Sequence, residues 1–97
     1  MTVFAQLELQ LQPEALEKAY QVLREVLVDT RAFEGCLGVD VLIDSQDPAH
    51  VVVHERWASL EHDAAYREWR AGDGASGLGT VLAGPPKLTL FTLAADI

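Results

Sequence analysis

Residues 51–70 read Val51-Val52-Val53-His54-Glu55-Arg56-Trp57-Ala58-Ser59-Leu60-Glu61-His62-Asp63-Ala64-Ala65-Tyr66-Arg67-Glu68-Trp69-Arg70. The stretch to Trp57 has strand chemistry, β-branched at its start and carrying His, Glu and Trp at its far end. Ser59 then has the side chain to cap a helix over 60–71. On that helix His62, Tyr66 and Trp69 follow at spacings of four and three, so they share one stripe. On the strand, Glu55 and Trp57 point to one face while His54 and Arg56 point to the other. Almost every side chain of this chain that could bind or transform a planar organic molecule lies within this segment.

Upstream, Val3, Ala5, Leu7, Leu9 and Leu11 alternate with Phe4, Gln6, Glu8 and Gln10, the period of a strand with one apolar face. Pro13 suits the first position of a helix, where its missing N–H costs nothing. Leu16, Ala19, Tyr20, Leu23, Val26 and Leu27 recur at three and four, which predicts an amphipathic helix over 13–33. Gly35 supplies its left-handed stop. A second strand over 36–43 and a third over 50–57 flank turn material, Asp44-Ser45-Gln46-Asp47-Pro48.

Downstream, Gly72, Gly74, Gly77, Gly79 and Gly84 surround a short apolar piece, which predicts a loop with one helical turn, open to use as a substrate lid. Gly84-Pro85-Pro86 breaks the chain before a last strand over 87–93. The order is β-α-β-β-α-β, an α+β ferredoxin-like arrangement with an antiparallel sheet, in one domain over 1–97. Two helices cover one face of such a sheet. Val51-Val52-Val53 and Leu88-Thr89-Leu90-Phe91 are apolar on both sides, so the second face also needs covering, and a second copy of the chain is the economical cover.

Hydrophobic residues make up 49 % of the 97 residues and charged ones 23 %, which excludes a disordered chain. Seven Lys and Arg against fifteen Asp and Glu give a net charge of −8 without a basic cluster, so nucleic acid and anionic membrane are poor partners. No apolar run approaches the roughly 20 residues that span a bilayer, and the first residues lack signal-peptide order. The single cysteine, Cys36, rules out an intrachain disulfide and suits a reducing cytoplasm, the expected location.

No metal site is expected. His50 and His54 share a strand face, but four residues of strand set them roughly 13 Å apart, too far to share an ion. The glycine-rich segment after residue 71 follows a helix rather than a strand, the wrong context for a phosphate loop. Cys36 has no cationic neighbour in sequence and reads as a small core residue. Ser59 is explained as a cap.

The aromatic residues carry more. Trp57, Tyr66 and Trp69 can be core side chains, or the walls of a flat pocket in which their N–H and O–H groups orient a ring. Histidine is the residue type suited to general-base work near neutral pH, which makes His54 a candidate base. Arg56, Arg67 and Arg70 read as solvated or paired with Glu61, Glu68 or Asp63 at helical spacing.

Several of these segments together resemble the antibiotic biosynthesis monooxygenase family. They are Thr30-Arg31-Ala32-Phe33-Glu34-Gly35-Cys36 entering the second strand, Asp47-Pro48 in the hairpin, Glu55-Arg56-Trp57-Ala58-Ser59 closing the third strand, and Gly84-Pro85-Pro86 before the fourth. The resemblance covers essentially the whole chain. Ala64-Ala65-Tyr66-Arg67-Glu68-Trp69-Arg70 is similar to a bacterial subgroup with a Tyr-x-x-Trp-Arg pattern.

The resemblance implies a homodimeric α+β barrel, with a pocket between sheet and helices in each subunit. It implies oxygenation of quinol- or anthrone-like substrates by O2 with no metal, flavin or other cofactor. It also sets Trp57 at the border of the pocket.

Three positions depart from relatives. The residue four before Trp57, an Asn in the aromatic-polyketide enzymes, is Val53. The residue nine after it, often His in the quinol-oxidising branch and Trp in heme-degrading relatives, is Tyr66. The strand-one Asn of the heme-degrading branch is Leu7, and no His follows His62, which disfavours heme chemistry.

The expectation is a cofactor-independent monooxygenase of a small phenolic, quinol or polyketide-like aromatic. His54 or Tyr66 would handle protons, and Trp57, Tyr66, Trp69 and His62 would hold the substrate. The alternative is a non-catalytic homodimeric binding module for a hydrophobic aromatic metabolite.

Overall fold

The computed structural model describes residues 2–97. Its strands are β1 (Val3–Gln10), β2 (Cys36–Asp44), β3 (Asp47–Trp57) and β4 (Lys87–Thr92), and its helices are α1 (Leu16–Ala32) and α2 (Leu60–Ala71). The strands form one antiparallel sheet in the order β2-β3-β1-β4. This is the ferredoxin-like topology expected from the order of elements.

Register decides which side chains meet. Val3 pairs with Trp57, Ala5 with Glu55, Leu7 with Val53 and Leu9 with Val51. Paired residues share a face, so the apolar parity of β1 and the odd positions of β3 lie together under the helices. Ala49, Val51, Val53, Glu55 and Trp57 are all buried there. Helix α1 lays Ala19, Leu23 and Leu27 onto this face, at the predicted three-and-four spacing.

The core has two parts. One contains ten buried residues around Leu9, Leu23, Leu27, Val51 and Val53. The other has four, Val3, Ala5, Trp57 and Tyr66, with Phe33 and Trp69 packed on them. Each fully buried Leu or Val contributes roughly 1.5–3 kcal/mol, so the larger cluster under α1 carries most of the hydrophobic stabilisation.

Two boundaries differ from the sequence reading. The helix expected from residue 13 begins as a 3-10 turn, Pro13–Ala15, and becomes α-helical at Leu16, because Ala15 leaves helical geometry (φ −135°, ψ 37°). The hairpin is also tighter than expected. Only Ser45 and Gln46 form the turn, Asp44 Oδ1 accepting from Gln46 N at 2.9 Å, and β3 starts at Asp47. Pro48 then falls in the register shift between the Ile43–Val51 and Asp44–Asp47 pairs, where a strand tolerates proline. Gly35 adopts φ +89°, and an added Cβ there would run into the His62 ring, so glycine is required twice over.

Among the described residues, no helix lies over the second face of the sheet. It presents Phe4, Leu42, Val52 and Phe91 interleaved with Gln6, Asp40, His54 and Arg56. Leu42 is 52 % exposed and Phe91 46 %. No helix among the described residues is long and apolar enough to cross a membrane.

Candidate functional site

Helix α2 starts where Ser59 Oγ accepts from His62 N at 3.1 Å, as a capping serine does. That start fixes the rotation of α2, which turns Asp63 and Tyr66 inward. Between this face, α1 and the sheet lies a cavity of about 140 Å³. Leu7, Val53 and Glu55 line it from the sheet, Leu23, Val26 and Leu27 from α1, and Tyr66, Arg67 and Arg70 from α2. Ser76 and Leu78, from the glycine-rich loop, also line it.

Two polar networks stand in its wall. Glu55 is only 1 % exposed. Its Oε1 accepts from Trp57 Nε1 at 3.0 Å and from Arg67 Nη2 at 2.5 Å, and Arg67 Nη2 also reaches Asp63 Oδ1 at 3.0 Å. A buried carboxylate without such partners would cost several kcal/mol, so Arg67 and the indole N–H are what make Glu55 tolerable in the core.

The second network centres on Tyr66, which is 3 % exposed. Its hydroxyl lies 2.6 Å from Thr30 Oγ1 and accepts from Arg70 Nε at 2.8 Å. Arginine only donates, so the tyrosine proton goes to Thr30, whose own proton goes to the Val26 carbonyl at 3.4 Å. Arg70 Nη2 also donates to Val26 O at 2.8 Å and Thr30 Oγ1 at 3.1 Å, and Nη1 to Gly74 O at 3.1 Å. One guanidinium thus ties α1, α2 and the loop after α2 together, and every oxygen it holds is neutral.

The candidates from sequence separate in space. Tyr66 reaches the cavity. Trp57 is completely buried behind it, 4.9 Å from the Tyr66 ring and 6.1 Å from Phe33, and meets the cavity only through its bond to Glu55. Trp69 packs on Phe33 at 5.4 Å and on Gly74, at the rim of a separate open groove shared with Glu25, Asp29 and Asp73. The His62 ring is held by Ser59 Oγ at 2.7 Å against Gly35, away from the cavity lining.

His54 lies on the uncovered face, 3.5 Å from Gln6 Nε2 and stacked on Phe4 at 5.9 Å. His54 and Tyr66, the two candidates for handling protons, thus lie on opposite faces of the sheet. Strand alternation that turns Trp57 inward turns Glu55 inward with it and His54 outward.

Arg67, Arg70 and Thr30 were not singled out by the sequence as site residues, and Glu55 entered only as sharing a strand face with Trp57. The signal for Glu55 was a lone charge on a face otherwise made of Val51, Val53 and Trp57. Arg67 does make the expected helical pair with Asp63, but it also crosses to β3. Nothing in the sequence signals the reach of Arg70 to α1, a contact spanning more than 40 positions. Elsewhere, burial pushes the Cys36 thiol up, in keeping with an unreactive core cysteine. Its hydrogen bond to Asp44 raises the pKa of His50, on the open face.

A four-stranded ferredoxin-like sheet, covered on one face by two helices that enclose a polar-walled cavity, defines the class as α+β with an internal pocket. The profile of the antibiotic biosynthesis monooxygenase family matches residues 2–76. The chain belongs to that family. No curated protein matches it.

Solved structures do match it. A protein of Deinococcus radiodurans assigned to the antibiotic biosynthesis monooxygenases superimposes with a TM-score of 0.81 at 22 % identity, over 98 % of this chain and 95 % of that one. One of Nitrosomonas europaea with the same assignment gives 0.80 at 17 %, over 97 % and 91 %. A third antibiotic biosynthesis monooxygenase gives 0.77 at 23 %, over 94 % and 97 %. At these identities the likeness is one of fold.

Proposed function

We infer that this chain is a homodimeric oxygenase that uses O2, without metal or flavin, on a small single-ring phenol or quinol. The carrying observation is the cavity of about 140 Å³, apolar on the α1 side and lined by Tyr66, Glu55 and two arginines on the other. An apolar cavity of about 150 Å³ holds one benzene ring, so the size favours a single ring over a fused polyketide. Membership of the family supplies the reaction type.

With a hydroquinone the chemistry closes without a cofactor. Hydroquinone and O2 give a hydroxyquinone and water, one oxygen atom entering each product and all electrons coming from the ring. Deprotonation makes the ring electron-rich enough to reduce O2. The guanidinium groups of Arg67 and Arg70 in the cavity wall put positive charge near where negative charge grows, and the aliphatic wall excludes water. Trp57 and Trp69 support this wall from behind rather than touching substrate. The uncovered sheet face, with Phe4, Leu42, Val52 and Phe91, is the surface for the second copy.

An oxygen electrode with a panel of single-ring quinols tests the reaction, saturable uptake being expected. Saturable binding without oxygen uptake would make the protein a binding module instead. Light scattering at micromolar concentration should give the mass of a dimer.

A further inference from the structure

Glu55 has two carboxylate oxygens and uses them unequally. Oε1 receives both hydrogen bonds, from Trp57 Nε1 and Arg67 Nη2, and Oε2 receives none among the described residues. Nor is Oε2 a sealed orphan, because the one fully enclosed side-chain atom without a partner among the described residues is Arg67 Nε. Glu55 is among the residues that line the cavity while 99 % of it is withdrawn from solvent, and Oε2 is the oxygen it has left to offer a ligand there. An unused carboxylate oxygen in an otherwise bonded core calls for a donor.

We propose that Glu55 Oε2 is the recognition group of the cavity, accepting a hydrogen bond from the hydroxyl of a neutral single-ring phenol. The proposal rests on the cavity being the substrate pocket. A carboxylate accepts and cannot donate, so it selects a ring hydroxyl over a carbonyl or a methyl group of similar size. In turnover the same atom takes the proton. The phenol O–H bond breaks, its electron pair stays on the ring oxygen, and the proton ends on Oε2. Trp57 and Arg67 are positioning residues, since both hold Oε1 and leave Oε2 toward the ring.

This geometry gives Glu55→Gln a specific consequence. Trp57 and Arg67 are both donors, so the amide oxygen must occupy the Oε1 position and the amide NH2 must face the cavity. The cavity then offers a donor where it offered an acceptor.

The experiment is a ligand-observed NMR titration with phenol, toluene and benzaldehyde. The unaltered protein should bind phenol about tenfold or more tighter than the other two, the worth of one hydrogen bond to a charged group. In Glu55→Gln the order of phenol and benzaldehyde should reverse. Equal binding of phenol and toluene by the unaltered protein, which needs no variant, overturns the proposal. So does a variant that folds and keeps the preference for phenol.

Oxygen uptake by the variant should recover as the ring hydroxyl is made more acidic across fluorinated hydroquinones. A loss that ignores acidity overturns proton acceptance. Binding in the expected order without any oxygen uptake removes the oxygenase reading alone. Absence of binding by all three probes removes both.

Discussion

Replacing Tyr66 with Phe removes one oxygen atom and keeps the ring packed between Trp57 and Phe33. That oxygen accepts from the part-buried Arg70 Nε at 2.8 Å and bonds the buried Thr30 Oγ1 at 2.6 Å. A hydrogen bond to a charged group is worth about 1.5–3 kcal/mol net and a neutral one about 0.5–1.5 kcal/mol. Thr30 keeps Arg70 Nη2 as a donor at 3.1 Å, so its loss lies at the low end, and Arg70 Nε is the group left without a partner.

The expected loss is therefore about 2–4 kcal/mol, from a total in the usual range of about 5–15 kcal/mol. For a domain of this size that lowers Tm by roughly 10–25 °C, and the variant still folds. Urea unfolding followed by circular dichroism, at one fixed protein concentration, measures it. Thr30→Val completes a double-mutant cycle, and the two changes should cost about 1 kcal/mol less together than their sum, because they share a bond. A loss below about 0.5 kcal/mol for Tyr66→Phe, or strict additivity, would refute the buried Tyr66–Thr30–Arg70 network.

Other expectations can be checked alongside. Val53→Ile adds a methylene to the cavity wall, so ring binding should weaken by about tenfold in titrations while stability changes by less than about 1 kcal/mol. Gly74→Ala drives a Cβ into the Trp69 ring, which should lower Tm and shift tryptophan emission to the red as the loop lifts.

His50→Asn tests the cluster on the open face. The hydrogen bond to Asp44 raises the His50 pKa and lowers that of Asp44. The histidine's contribution is full below its ordinary 6.5 and is lost as pH rises through the raised value. The aspartate's is full above its ordinary 3.8 and is lost as pH falls through the lowered value. The stability advantage over His50→Asn should thus be largest between pH 3.8 and 6.5 and shrink on both sides in urea titrations.

The architecture was legible because each element carries its own period. Alternation in Val3 to Leu11, the three-and-four spacing from Leu16 to Leu27 and the Ser59 cap are local signals, and the folded chain uses each of them. The boundaries that moved, at Pro13 and Asp47, depend on the geometry of single turns. The site was less legible because it depends on which parity of β3 faces the helices. Val51-Val52-Val53 is apolar on both sides and gives no preference. The pairing of Leu7 with Val53 and Ala5 with Glu55 settles it, and that is a long-range fact. Arg67 and Arg70 looked like solvent-facing charges for the same reason: their partners on β3 and α1 are distant in sequence.

The two sides of the cavity differ in how freely they could change. Glu55, Tyr66, Arg67 and Arg70 bond to Trp57, Thr30, Asp63 and Gly74, so altering any of them also loosens the join between sheet, helices and loop. Leu7, Leu23 and Leu78 face the same space and have no polar duty. A lineage of such proteins could therefore exchange one ring substituent for another at these leucines with little penalty, while the proton-handling side stayed as it is. Diversification of substrate and persistence of chemistry would then follow from the same wall being half mortar and half filling.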